Sequence, residues 1–267
     1  MKSQYRMLFA FVALLVAVSL ACMGGGTQPA EPAPTNPPLP TNPPPPTSAP
    51  VEQPQQEQPP QPPPQEPSTS GNQQFFTEEF DAPLSSGWSS LSVTGSGNSD
   101  PDKVTVEPKN GKLVWNFDSE YVYYYLFYEG ANYTDVKLEV TADNRGRNNN
   151  SVSLICRYDP EVGWYEFNIA NNGLYDILYA EITSNGDIDY FTITNGGSNA
   201  IKTGKNINEY SITCAGDKLT LTINGKEVNS LTERKYALRD GGVGVSVSAF
   251  NVLPIQVEMD WIRISEP

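Results

Sequence analysis

The sequence predicts an all-β domain of two packed antiparallel sheets, carried behind a targeting segment and a proline-rich spacer. Three observations predict it. Eighteen of the 24 prolines fall between Pro29 and Pro67, which leaves residues 73–267 to fold as one unit. From Phe75 onward, short runs of β-branched and aromatic residues are separated by turn signals, and no run sustains a helical period. Asn-Gly pairs at Asn110, Asn172, Asn185 and Asn224 sit between such runs, and Asn-Gly is the strongest short-range hairpin signal.

At the N-terminus, MKSQYR supplies a positive flank, and MLFAFVALLVAVSLAC is apolar but too short to span a bilayer comfortably. Ser19-Leu20-Ala21-Cys22 resembles the lipobox of a bacterial lipoprotein signal. The resemblance implies that residues 1–21 are a signal peptide, that Cys22 is the lipidated first residue, and that acyl chains alone hold the protein to the membrane. An uncleaved N-terminal anchor is the alternative. Either way the expected location is the cell envelope with the domain facing outside. Residues 22–72 contain almost no large apolar side chain and read as a disordered, polyproline-like stalk. At about 3.1 Å per residue such a stalk reaches on the order of 100 Å. A proline-motif ligand is the other reading of this tract.

Within residues 73–267 the runs read as strands. VKLEVTA alternates Val136, Leu138 and Val140 with Lys137, Glu139 and Thr141, the pattern of a half-buried strand. KLTLTI and KEV flank Asn224-Gly225, and WYEFNIA and LYDILYA flank Asn172-Gly173. Counting runs gives about a dozen strands, more than one small barrel holds and suited to two stacked sheets. EYVYYYLFYEG, Glu120 to Gly130, holds five tyrosines and a phenylalanine. Strand alternation divides it into Tyr121, Tyr123, Tyr125 and Phe127 on one face and Val122, Tyr124, Leu126 and Tyr128 on the other. One face of each sheet makes the core. The Val122 set, with the aliphatic residues, is the core candidate.

Composition excludes some functions. The domain carries 27 acidic against 15 basic residues, a net of −12, so it repels phosphate backbones and nucleic acid is not an expected partner. The chain has no histidine, which removes the commonest general base and the commonest zinc ligand. Cys156 and Cys214 are the only cysteines besides Cys22. In an exported domain they are expected to pair as a structural disulfide, the alternative being two buried thiols.

FFTEEFD, GKLVW, LICRYD, GWYEFNIANNGLY, YSITCAGDKLTLTINGKEV, GGVGVSVSAF and VEMDWIRISEP follow in an order that resembles the concanavalin A-like, LamG-like jelly roll. The resemblance covers nearly all of residues 75–265 and points to the branch called the 3-keto-disaccharide hydrolase domain, or domain of unknown function 1080. It implies two antiparallel sheets and an activity on oxidised sugars. Catalytic members are expected to use histidine, carboxylate or metal ligands, and for this chain no cofactor is expected to be required. Such jelly rolls often hold one structural calcium near the first and last strands, for which Glu79, Asp81 and Asp260 are the candidates. Surface acids without metal are the other reading.

Two carboxylates are needed for glycoside hydrolysis. The nearest string, Glu258-Met259-Asp260-Trp261-Ile262-Arg263, ends in arginine and lies in the expected last strand, so it reads as coincidence; Asp187 and Asp189 read as a surface hairpin. Sugars stack on aromatic rings, with amides, carboxylates and arginine fixing their hydroxyls. Tyr121, Tyr123 and Tyr125, with Arg157, Tyr158, Trp164 and Tyr165 around the bend DPEVG, are therefore the carbohydrate-binding candidates. Each also suits the inside of a sandwich. The expected function is non-catalytic recognition of an extracellular glycan or cell-surface partner. A hydrolase or lyase on 3-keto-disaccharides and a structural envelope module are the alternatives.

Overall fold

Val136, Leu138 and Val140 are fully buried while Lys137 and Glu139 keep part of their surface, so the alternation written in VKLEVTA is realised as far as Val140; Thr141, expected on the polar face, is buried and accepts from Asp260 N at 3.0 Å. The computed structural model describes residues 74–267. The expected signal peptide, the lipidated Cys22 and the stalk lie outside these residues. Among the described residues sixteen strands form, in chain order β1 (Phe76–Glu78), β2 (Trp88–Thr94), β3 (Val104–Pro108), β4 (Leu113–Phe117), β5 (Val122–Tyr128), β6 (Val136–Asn144), β7 (Asn150–Asp159) and β8 (Gly163–Ala170). The second half supplies β9 (Leu174–Ile182), β10 (Ile188–Gly197), β11 (Ile207–Ala215), β12 (Lys218–Ile223), β13 (Lys226–Thr232), β14 (Gly242–Ala249), β15 (Ile255–Met259) and β16 (Ile262–Ser265).

They build two antiparallel sheets. The nine-stranded sheet runs β13-β12-β11-β6-β15-β4-β3, with β16 also paired to β6 and β1 added on β16. The seven-stranded sheet runs β10-β9-β8-β7-β14-β5-β2. The segment VEMDWIRISEP, expected as one final strand, is divided at Asp260-Trp261 into β15 and β16, which lie end to end beside β6. The Asn-Gly turns fall where the sequence places them: Asn224 and Gly225 join β12 to β13 with φ of 50° and 75°, and Asn110 and Gly111 join β3 to β4 with φ of 56° and 69°. Positive φ at both central residues matches the right-handed twist of a two-residue hairpin.

The main core lies between the sheets. Trp115 and Phe117 of β4 and Val136, Leu138 and Val140 of β6 share it with Leu154 of β7, Phe167 of β8, Ile177 of β9 and Val243, Val245 and Val247 of β14. From β5 it takes Val122, Leu126 and Tyr128, with Tyr124 partly buried against them, which is the face expected for the Val122 set. Cys156 of β7 and Cys214 of β11 are bonded across this core, one cysteine from each sheet.

Candidate functional site on the outer face of the seven-stranded sheet

The other face of β5 does not enter the main core. Tyr125 and Phe127 join Ile155, Trp164 and Ala180 in a second, separate cluster, with Leu91, Val93, Tyr123, Tyr158, Ile182 and Ile188 packed around it. Its shape follows from side-chain size. The strands between β5 and β8 carry Gly244, Ser246 and Ser248 on β14 and Ser151 and Ser153 on β7 in register with these rings. Over that low floor the aromatic rings lean across and touch. Trp164 meets Tyr125 at 5.4 Å and Phe127 at 5.2 Å between ring centroids, both edge-on, and Tyr158 stacks on Phe127 at 3.7 Å. The Tyr125 hydroxyl also lies 2.8 Å from that of Tyr190 on β10. Five strand spacings separate β5 from β10, about 24 Å in a flat sheet, so the sheet curls strongly toward this outer face.

At the centre is Glu166, which is 2 % exposed. Ser153 donates to its Oε1 at 2.7 Å, while Trp164 Nε1 donates to Oε2 at 3.1 Å and the Tyr125 hydroxyl to the same oxygen at 3.3 Å. Asn168 Nδ2 donates to the Ser151 and Ser153 hydroxyls, each at 2.9 Å. Burial pushes the Glu166 carboxyl above the ordinary glutamate range, and the hydrogen bonds from Ser153, Trp164 and Tyr125 only partly oppose it. Burial likewise raises the Tyr125 and Tyr190 hydroxyls. Asp176 of β9, half-buried and paired with Asn168, is also pushed up by burial. The buried Ser246 and Ser248 hydroxyls have no hydrogen-bond partner in the protein. The Tyr123 and Tyr190 hydroxyls and the Asn168 carboxamide, which keep exposed surface, can accept and donate hydrogen bonds to a polyhydroxylated ligand.

The sequence candidates divide. Tyr123 sits half-buried at the rim, Tyr125 and Trp164 are buried walls, and Tyr158 is a partly exposed flank. Tyr121 precedes β5 with a φ of 52°, outside the strand alternation, and its carbonyl accepts from Gly95 N at 2.8 Å. Two candidates point the other way and must be corrected. Arg157 sits at a register shift in β7 with a φ of 55°; its guanidinium donates to the carbonyls of Leu238 and Gly216, each at 2.6 Å, and of Thr134 at 3.4 Å. Tyr165 follows Trp164 by one residue on β8 and so faces the main core, where its hydroxyl donates to Glu233. Among the described residues no three acids, cysteines or histidines converge as a metal site. Glu79 and Asp81 are exposed, and Asp260 is held by Lys112 at 2.7 Å rather than joining them.

Sequence reasoning missed Glu166, Asn168, Asp176, Tyr190 and the four serines. The available signal was parity in GWYEFNIA, which places Trp164, Glu166 and Asn168 on one face of a strand whose other face, Tyr165, Phe167 and Ile169, is apolar.

Two antiparallel sheets in this order, with a polar site on the curled face of one, define a jelly-roll sandwich. The chain belongs to the 3-keto-alpha-glucoside-1,2-lyase-like domain family, whose model matches residues 76–256. A search of the curated proteins found no match. Among solved structures it is similar to a GH16 protein of the Bacteroides ovatus mixed linkage glucan PUL, with a TM-score of 0.51 and 12% identity over 71% of this chain and 99% of that one. It is also similar to the laminarinase catalytic domain from Thermotoga maritima, with a TM-score of 0.51 and 12% identity over 73% and 98% of the two chains. At that identity the likeness is one of fold.

Proposed function

We propose that this protein binds a glycan on the outer face of its seven-stranded sheet, without covalent chemistry, as a lipid-anchored protein of the cell envelope. The observation that carries the reading is the Glu166 network. A carboxyl 2 % exposed beneath aromatic rings, on a face outside the main core, costs stability that an apolar residue there would not. Buried polar groups of that kind concentrate at functional sites. The family's description supports a sugar as the ligand. The test is a glycan array with the full-length protein and with Tyr123→Ala and Glu166→Gln. Binding that drops at least about tenfold in both variants supports the site; absence of binding to every glycan favours a structural envelope module.

A second reading is favoured by the same residue. A carboxyl raised by burial is suited to donate a proton, and family membership points to lyase or hydrolase chemistry on 3-keto-glucosides. Product release from 3-keto-disaccharides that is lost in Glu166→Gln would replace the binding reading with an enzymatic one. The anchor is tested separately: palmitate labelling is expected for the wild type and is expected to vanish in Cys22→Ser.

A further inference from the structure

Resting on the glycan reading of the outer face, we infer that its ligand is an uncharged glycan and that polyanionic sugars are excluded. The seven strands of this sheet contain no lysine and one arginine, Arg157. That guanidinium is turned away from the face and spent on three main-chain carbonyls. Cations are not scarce in the domain, but they lie in the other sheet and in the connections. Lys112 pairs there with Glu258 and Asp260, Lys137 with Glu139, and Arg145 with Asp143 and Glu258.

A carboxylate or sulfate brought onto the face therefore loses water without meeting a counter-charge, and it approaches Glu166 and Asp176. An ammonium-bearing sugar has little more to gain. Glu166 already accepts from Ser153, Trp164 and Tyr125, which leaves Asp176 on the face and Glu129, accepting from Ser89, at its Tyr158 edge. What the face offers is neutral: tyrosine hydroxyls at Tyr123 and Tyr190 and the Asn168 carboxamide. Hydroxyls and carboxamides both donate and accept, which matches the hydroxyls of an uncharged sugar.

The experiment is isothermal titration of the full-length protein at low salt, where charge effects are least screened. The probes are three oligosaccharides of equal length: a neutral glucan, an oligo-uronate and an oligo-glucosamine. The neutral glucan is expected to bind, with loss of affinity in Tyr123→Ala, and the uronate to bind at least about tenfold more weakly. Asp176→Lys is expected to narrow that gap by strengthening uronate binding. Uronate or glucosamine binding as tight as that of the glucan overturns the ligand class while leaving the glycan site in place. Failure of all three to bind overturns the glycan reading and this inference with it.

Discussion

Two buried glutamates answer to opposite forces. Burial pushes Glu166 up. Burial acts on Glu233 in the same sense, but the Tyr165 hydroxyl and the N–H groups of Tyr236, Ala237 and Lys235 outweigh it and hold that carboxyl below the ordinary range. On unfolding both return to the ordinary glutamate range, so their contributions to stability titrate with opposite sign. The stabilisation from Glu233 is present above its unfolded value and is lost as pH falls through its lower folded value. Glu166 stabilises relative to the unfolded chain below its unfolded value, and that advantage is lost as pH rises through its raised folded value. Thermal midpoints measured from acid to neutral pH should therefore show Glu166→Gln gaining on the wild type as pH rises. Glu233→Gln should be less stable than the wild type near neutrality, with the gap closing on acidification. A Glu166→Gln difference that stays constant with pH contradicts the account of the site, because the carboxyl would then titrate alike in both states.

At the scale of strands, asparagines join apolar side chains in closing one end of the sandwich. Asn144 ends β6, Asn150 begins β7, Asn171 follows β8 and Asn208 lies near the start of β11; all four are buried and line one small crevice. Asn208 is the organiser of this layer. Its Oδ1 accepts from Lys202 N at 2.9 Å and from Asn224 Nδ2 at 2.8 Å, and its Nδ2 donates to the Lys202 carbonyl at 3.0 Å, which ties the β10–β11 connection and the β12–β13 turn to β11. Asn208→Ala leaves the Lys202 N–H and carbonyl without these partners, while Asn224 Nδ2 keeps the Ala200 carbonyl, and is expected to cost about 2–3 kcal/mol in a denaturant titration. Local chemistry of this scale is partly legible in the sequence. The Asn-Gly hairpins and the two faces of β5 are, because turn type and alternation are set by neighbouring residues. About a dozen strands were expected and sixteen form, because pairs as short as Phe76–Glu78 on Ile262–Ile264 exist only through a distant partner. The placement of Arg157 depends on the register shift in β7, and Glu166 reads as a solvated strand residue until the curl of the sheet buries it. Both facts are tertiary, and no local pattern encodes them.

At the scale of the whole molecule, the two sheets are covalently tied. The Cys156–Cys214 bond links β7 of one sheet to β11 of the other across a separation of 58 residues. In the chain-entropy account, closing a loop of that length restricts the unfolded chain and stabilises the fold by about 4 kcal/mol. For a domain of this size each kcal/mol shifts the thermal midpoint by about 2–4 °C. Loss of the bond in Cys156→Ala/Cys214→Ala is therefore expected to lower the midpoint by about 8–16 °C, and both sulfurs are fully buried, so the cavities left behind add to the loss. Reduction of the wild type removes the link without the cavities and should lie between the two. The denaturant slope should rise in the reduced chain, because an unlinked unfolded state exposes more surface. Titration of the denatured, unreduced protein should find neither of these two thiols free; finding both free would show that the sheets are held by packing alone, and the reduced and unreduced midpoints would then coincide.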